Sequence, residues 1–295
     1  MRRWPAFGLG SGPAHPILVT KAAFGGPRDA HWEIPAKLGA SECFDQFLIH
    51  IVNSPVLFFG VLFLFRAGFW GWVENLWRAR SVPYRQVAAR DFVAQTFVVF
   101  VVSPIMLYLY GRLFTDHPLP QVIQDLPILF RIGLYFLIGD FGYYWGHRLM
   151  HTAVLWRTHK WHHSPTYMYW LAGCRATVPH EFFILVTFLL LTPILHPSPW
   201  WVYTGVVIFG YLASDWMHLN VSWRARWLEW FIVMPRYHHI HHSSNPDHYN
   251  FNLGNIFTFW DRLFGTYIDP DTLDPKEIAF GIGERSNPLR LIAGL

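Results

Sequence analysis

The 295 residues would make one or two ordinary domains by length, but 53% are hydrophobic, 19% aromatic and only 14% charged. A soluble domain carries about 25% charged residues, so this balance points into a bilayer. The net charge of +4 comes without any Lys/Arg block, which argues against a nucleic-acid partner, and two cysteines, Cys43 and Cys174, supply neither a disulfide framework nor a zinc ribbon.

Residues 1–46 read as an irregular extension with Gly, Pro and scattered charge. Met1-Arg2-Arg3 leads into no continuous apolar run, so a cleavable signal peptide is not expected. Residues 47–133 read as N-terminal membrane helices. A first apolar run covers Phe47 to Trp72, interrupted by Asn53, Pro55 and Arg66; a cleaner one runs from Phe92 to Phe114 and another from Leu126 to Trp145. Roughly 20 helical residues cross a hydrocarbon core of about 30 Å, so the latter two are expected to span. Phe182 to Leu195 is shorter, and Trp200 to Ala213 follows Pro197 and Pro199; these two form a shallow hairpin or gain length at their ends. The fold class is all-α, an integral membrane bundle of about four to five membrane-embedded helices with a histidine-rich cytosolic cap.

Charge sets the topology. The segment TDHPLPQVIQDL has two acids and no Lys or Arg, whereas Arg78, Arg80, Arg85 and Arg90 precede the second run and Arg148, Arg157 and Lys160 follow the third. The positive-inside rule then puts the C-terminal end of the third run in the cytoplasm. The basic N-terminal extension conflicts with this: either the first run is re-entrant, or the rule fails there. Further on, Trp223, Trp227, Trp230, Phe231 and Met234 recur at helical spacing and predict a helix lying in the headgroup plane, or alternatively a buried helix of the cap.

Eight histidines in three clusters carry the chemistry. His147 and His151 stand in HRLMH, His159, His162 and His163 in HKWHH, and His238, His241 and His242 in HHIHH. A helix brings residues i, i+3 and i+4 onto one face, so each cluster can aim two or three imidazoles at one point. Imidazole suits borderline transition metals such as iron. Eight are too many for one ion and suit two. Asp140, seven residues before His147, could orient a ligand imidazole or simply face a neighbouring helix. A zinc peptidase would need HExxH, which HRLMH lacks; after His180-Glu181 the second His position is Ile184. A transporter would place its ligands near the bilayer midplane, and a bis-histidine haem leaves HxxHH twice unexplained.

HxxxH followed by two HxxHH boxes resembles the fatty acid hydroxylase superfamily, also called the sterol desaturase family. YYWGHRLMH with LWRTHKWHHS resembles its first two boxes, SDWMHLN its His-x-Asn element, and PRYHHIHHSSNPDHYNFNLGNIFTFWDRLFGTY its third box and ending. The resemblance covers residues 134–268 as a catalytic region, leaving 269–295 as a C-terminal tail. It implies a membrane di-iron enzyme whose iron ligands are His147, His151, His159, His162, His163, His238, His241 and His242, with His218 of HLN as a ninth. His239 fills a variable position of its box. The chain departs from the family's Arg-x-His-Pro at Arg175-Ala-Thr-Val-Pro179-His180, leaving His180 without an assigned role. Asp261 and Arg262 are expected to lock the C-terminal segment.

The implied activity is hydroxylation of a lipid C–H bond (sterol, hopanoid, fatty acyl, carotenoid or ether lipid) with two Fe and O2. Desaturation at the same site is the near alternative; a metal-loaded sensor or transporter is the alternative of another class. No GxGxxG follows a strand, so electrons are expected from a separate ferredoxin- or cytochrome b5-like protein, with Arg148, Arg157 and Lys160 facing its acidic surface.

Overall fold

The computed structural model of the protein describes residues 54–113, 121–196, 198–283 and 287–292. All lie in the unit His50–Leu295. The expected N-terminal extension, Cys43, the start of the first apolar run and much of the acidic segment lie outside the described residues.

The described chain is helical, with two isolated bridges, Ile232–Phe257 and Ser243–Phe280, and no strand among the described residues. Helix α1 covers Pro55–Trp77, with Pro55 in its first turn, where a missing N–H costs nothing. Helix α2 (Tyr84–Phe97) runs through a π-turn at Val98–Val102 into α3 (Ser103–Leu113). Pro104 lies just beyond that turn and removes one backbone donor, a usual setting for such a local widening. After α4 (Gln121–Gln124) come α5 (Ile128–Met150), α6 (Trp156–His159), α7 (Val178–Leu190) and α8 (Trp200–His218). The cap adds α9 (Pro235–His241), α10 (Phe259–Phe264) and α11 (Pro288–Ile292).

Among the described residues, three helical stretches are long and apolar enough to cross a membrane: Val56–Trp77, Tyr84–Met106 and Val178–Leu195. The expected set is therefore corrected. α5 is about 35 Å long at 1.5 Å per residue, but it carries Arg131, Asp140, His147 and Arg148 and is not among the three. The shorter apolar run, expected from Phe182, instead gains length at its N-terminal end, starting at Val178 and ending at Leu195 as expected. The second run starts earlier than expected, so Arg85 and Arg90 belong to α2 rather than to a preceding loop.

Those extensions carry charge because it is paired inside the protein. Arg66 of α1 grips Asp215 of α8 at 2.5 Å, and Arg175 grips Asp91 of α2 at 2.6 Å. Tyr169 also donates to Asp91 (2.6 Å), and Glu74 of α1 accepts from the backbone N–H groups of Trp170 and Asn220, both at 2.8 Å. Around these bonds Trp70, Val73, Val87, Tyr169, Leu171 and Leu219 form a buried core. It fixes the 164–175 loop beneath the histidines. α5 and α7 pack closely because Gly146 has no side chain; a Cβ there would sit 2.4 Å from the carbonyl oxygen of Phe183.

The predicted headgroup-plane helix at 223–234 is corrected too. Residues 226–231 form turns, closed by Glu229 N–H and Leu228 N–H donating to the Ala225 carbonyl. Trp227, Trp230 and Phe231 are exposed as the pattern implied, while Glu229 is buried against Arg236.

Candidate metal centre

The nine histidines stand at four helix ends or the turns that follow them. His147 and His151 end α5, His159, His162 and His163 occupy α6 and its turn, His218 ends α8, and His238, His241 and His242 end α9. Helix C-termini present unpaired carbonyls and partial negative charge, favourable to a cation.

They converge as two groups. His147, His151, His159, His163 and His241 offer nitrogens that all lie within 4.8 Å of one another, as do those of His162, His218, His238 and His242. The clusters do not each serve one point, as their spacing suggested. In HKWHH the i, i+4 pair His159 and His163 joins the first group and His162 the second. In HHIHH the i, i+4 pair His238 and His242 joins the second group and His241 the first. The groups touch where the His163 and His242 rings stack at 4.3 Å.

The spacing between nitrogens fits a shared ion. Imidazole nitrogen binds zinc at about 2.0–2.1 Å, so neighbouring ligands at right angles stand about 3.0 Å apart. His159 Nε2 lies 3.0 Å from both His147 Nε2 and His163 Nε2. In the second group His218, His238 and His242 form a triangle of Nε2 atoms with sides of 3.2, 3.2 and 3.0 Å.

Proton placement agrees. A carbonyl only accepts, so a ring nitrogen bonded to one carries its proton and leaves the other nitrogen bare. His147 Nδ1 donates to Leu253 (2.8 Å), His241 Nδ1 to Phe251 (2.9 Å) and His218 Nδ1 to Ser214 (2.6 Å). The bare Nε2 atoms crowd inward, and buried Nε2 of His151 and of His241 finds no hydrogen-bond partner among the described residues. Lone pairs so packed repel unless a cation lies between them. Burial also holds His151, His159, His162, His163, His238, His241 and His242 well below the ordinary 6.5, which keeps them neutral and able to donate to a metal.

Asp140 does not orient an imidazole. Its carboxylate accepts from the Ile256 and Phe257 N–H groups and from Trp260 Nε1, and so ties α5 to the C-terminal segment. The acceptors that orient rings are the backbone carbonyls of Ser214, Phe251 and Leu253, which no residue-type pattern exposes. One available signal was Asn252, a residue type that tolerates left-handed backbone; it sits at φ 56° and bonds Tyr237 and Ile268. Asp261 locks this loop, accepting from Leu253 N–H, Gly254 N–H, Thr266 and Tyr237. Arg148 donates to Tyr144 (2.9 Å), whose hydroxyl meets Thr266 (2.8 Å). His239 is buried against Phe280 and belongs to neither group. His180 also belongs to neither, but its Nδ1 lies 2.9 Å from His159 Nδ1. Gly173 was missed: a Cβ there would lie 2.4 Å from the His218 ring. Finally, a pocket between Trp156, Lys160, Ser243, Tyr249 and Ile282 reaches His163.

Comparison with known proteins gives this cluster its family. The fatty acid hydroxylase model matches residues 132–266. The chain carries a fatty acid hydroxylase domain. Around that domain the chain is 27% identical over 234 residues to alkylglycerol monooxygenase of Xenopus tropicalis, covering 79% of this chain and 50% of that protein. It is 32% identical over 148 residues to the ornithine lipid hydroxylase OlsE of Rhizobium tropici (49% and 44%). A probable Delta(7)-sterol 5(6)-desaturase of Neurospora crassa is 27% identical over 156 residues (48% and 39%). The chain thus spans half or less of the length of these relatives. No solved structure matches it. All nine clustered histidines fall inside the hydroxylase domain.

Proposed function

We propose that this chain is a membrane-bound non-haem di-iron oxygenase that hydroxylates a lipid C–H bond with dioxygen and electrons from a separate protein. The observation that carries this reading is the convergence of nine neutral imidazoles into two adjoining groups. His147, His151, His159, His163 and His241 hold one iron; His162, His218, His238 and His242 hold the other. When bound, the irons supply the dioxygen chemistry that no side chain offers toward an unactivated C–H bond.

The chain's own residues do the rest. The carbonyls of Leu253, Phe251 and Ser214 fix three ligand rings in the tautomer that presents Nε2. Asp261 holds the loop that supplies two of those carbonyls. Trp156 covers His151 and His163, with ring centroids at 5.3 and 5.2 Å, and stacks on Tyr249, limiting water at the first group. The centre faces the cytoplasm, so a lipid enters from the leaflet while a ferredoxin- or cytochrome b5-like donor docks from water. The printed activities of the relatives, on alkylglycerol, ornithine lipid and sterol, support a lipid substrate.

Desaturation is a second reading, favoured by the likeness to the sterol desaturase. Substrate placement to within about 1 Å decides between the outcomes. The test is metal analysis of the purified protein together with lipid- and reductant-dependent oxygen uptake. The proposal expects about two irons per chain and a product gaining one oxygen atom; a product losing two hydrogens selects the desaturase. Zinc alone without oxygen uptake would point to a structural or sensing role, and metal flux in vesicles to a transporter.

A further inference from the structure

One buried histidine of the cluster, His180, is used by neither group. It lies in the first turn of α7 with 5% of its surface exposed. Its ring stacks on His159 with centroids 4.8 Å apart and 27° between planes, and it packs on His162 at 5.0 Å. We propose that His180 is a positioning residue for the five-imidazole group: it accepts the Nδ1 proton of His159 and thereby fixes the ring angle and the tautomer that presents Nε2. This rests on the reading of the two groups as metal sites.

His159 is the hub of its group, since its Nε2 lies 3.0 Å from two other ligand nitrogens. To bind metal there, its proton must sit on Nδ1. The neighbour of that Nδ1 is His180 Nδ1 at 2.9 Å, so His180 accepts and keeps its own proton on Nε2. His147, His218 and His241 lean instead on backbone carbonyls; His159 leans on a side chain. A second tether holds the pair in register. The His180 N–H donates to Thr177 Oγ1 (3.2 Å), and that hydroxyl donates to the carbonyl of Thr158 (3.0 Å), the residue before His159. The first turn of α7 is thereby bound to the hub at both backbone and ring.

Cobalt(II) titration of stripped full-length protein in nanodiscs tests this, with stoichiometry from d–d absorption and metal analysis, and thermal unfolding of the stripped forms as the folding control. Wild type should bind about two ions. His180→Ala should weaken one of them about 10- to 100-fold, the range for loss of a partner behind a ligand, and leave the other unchanged. His180→Gln, whose amide oxygen accepts a proton, should recover most of the loss. Should His180→Ala not fold, His180→Phe, which keeps a ring without an acceptor, replaces it under the same expectation. Two wild-type affinities in a folded acceptor-less variant would overturn the proposal, as would a folded His180→Gln as weak as that variant. A wild type that binds no cobalt would instead overturn the underlying metal reading.

Discussion

The two imidazole groups are built from the same turns but braced differently. In the five-membered group, His147 and His241 are held from behind by the 249–253 loop and His159 meets His180. In the four-membered group, only His218 has such a brace, from its own helix at Ser214; the Nδ1 atoms of His162, His238 and His242 find no partner among the described residues. The group with more ligands is thus also the better braced one. What differs is whether a second layer of donors and acceptors stands behind the rings. We expect the five-membered group to hold its ion more tightly.

The largest effect should come from removing ligands. His163→Ala and His242→Ala should each lower iron from about two ions per chain to about one, and each should reduce lipid oxidation more than the roughly 100-fold ceiling expected of an indirect change. Metal analysis beside turnover checks this; retention of two ions in either variant would break the two-group partition. Next comes Asp261→Ala, which strips the partner from buried N–H and O–H donors. Each donor left unmet costs about 1–3 kcal/mol, so unfolding should occur at clearly lower temperature, with iron lost first from the five-membered group. Equal loss from both groups would show that the loop serves them alike. The converse probe is Gly173→Ala, whose new methyl group must displace the His218 ring; it should cost iron in the four-membered group alone.

The smallest effect is that of pH, and its sign follows from burial. The clustered imidazoles outside the membrane-spanning stretches sit well below 6.5 in the fold, because burial disfavours their charged form, while in the unfolded chain they titrate near 6.5. Below that value the unfolded chain binds more protons, so stability of the stripped protein is full above about pH 6.5 and falls as pH drops toward the folded values. Thermal unfolding from pH 7.5 to 4.5 should show this decline, and a flat profile would contradict buried neutral rings. The iron-loaded protein should keep its metal below the pH of about 6.5 at which free imidazole protonates, losing the four-membered group's ion first.

Much of this centre was legible in the sequence, and the reason is chemical. The i, i+3, i+4 spacing of the boxes selects one residue type with one function, and His218 came from the HLN element. How the boxes divide their histidines was not legible, because the split depends on how α5, α8 and α9 meet in space. Asp140 misled because the same helical face that carries His147 also meets the 256–260 segment, whose N–H groups claim the carboxylate. Helix limits failed where hydropathy treats charge as a stop. Asp91, Arg66 and Asp215 are neutralised by partners far away in the chain, and so remain within long helices. At 223–234 the aromatic spacing foretold the exposure of Trp227, Trp230 and Phe231 but neither the burial of Met234 nor the backbone, since the buried Glu229–Arg236 pair and the bond from Thr258 to the Glu229 carbonyl favour turns.

Because each HxxHH turn lends a pair of rings to one ion and a single ring to the other, neither ion can be treated as an independent passenger. Extracting one leaves a loose arm on both turns that still grasp its neighbour. Occupancy of one group is therefore expected to be felt in the ring positions of the other, even where a single ion remains. A mixed-metal enzyme would carry the imprint of each element in the coordination of the other.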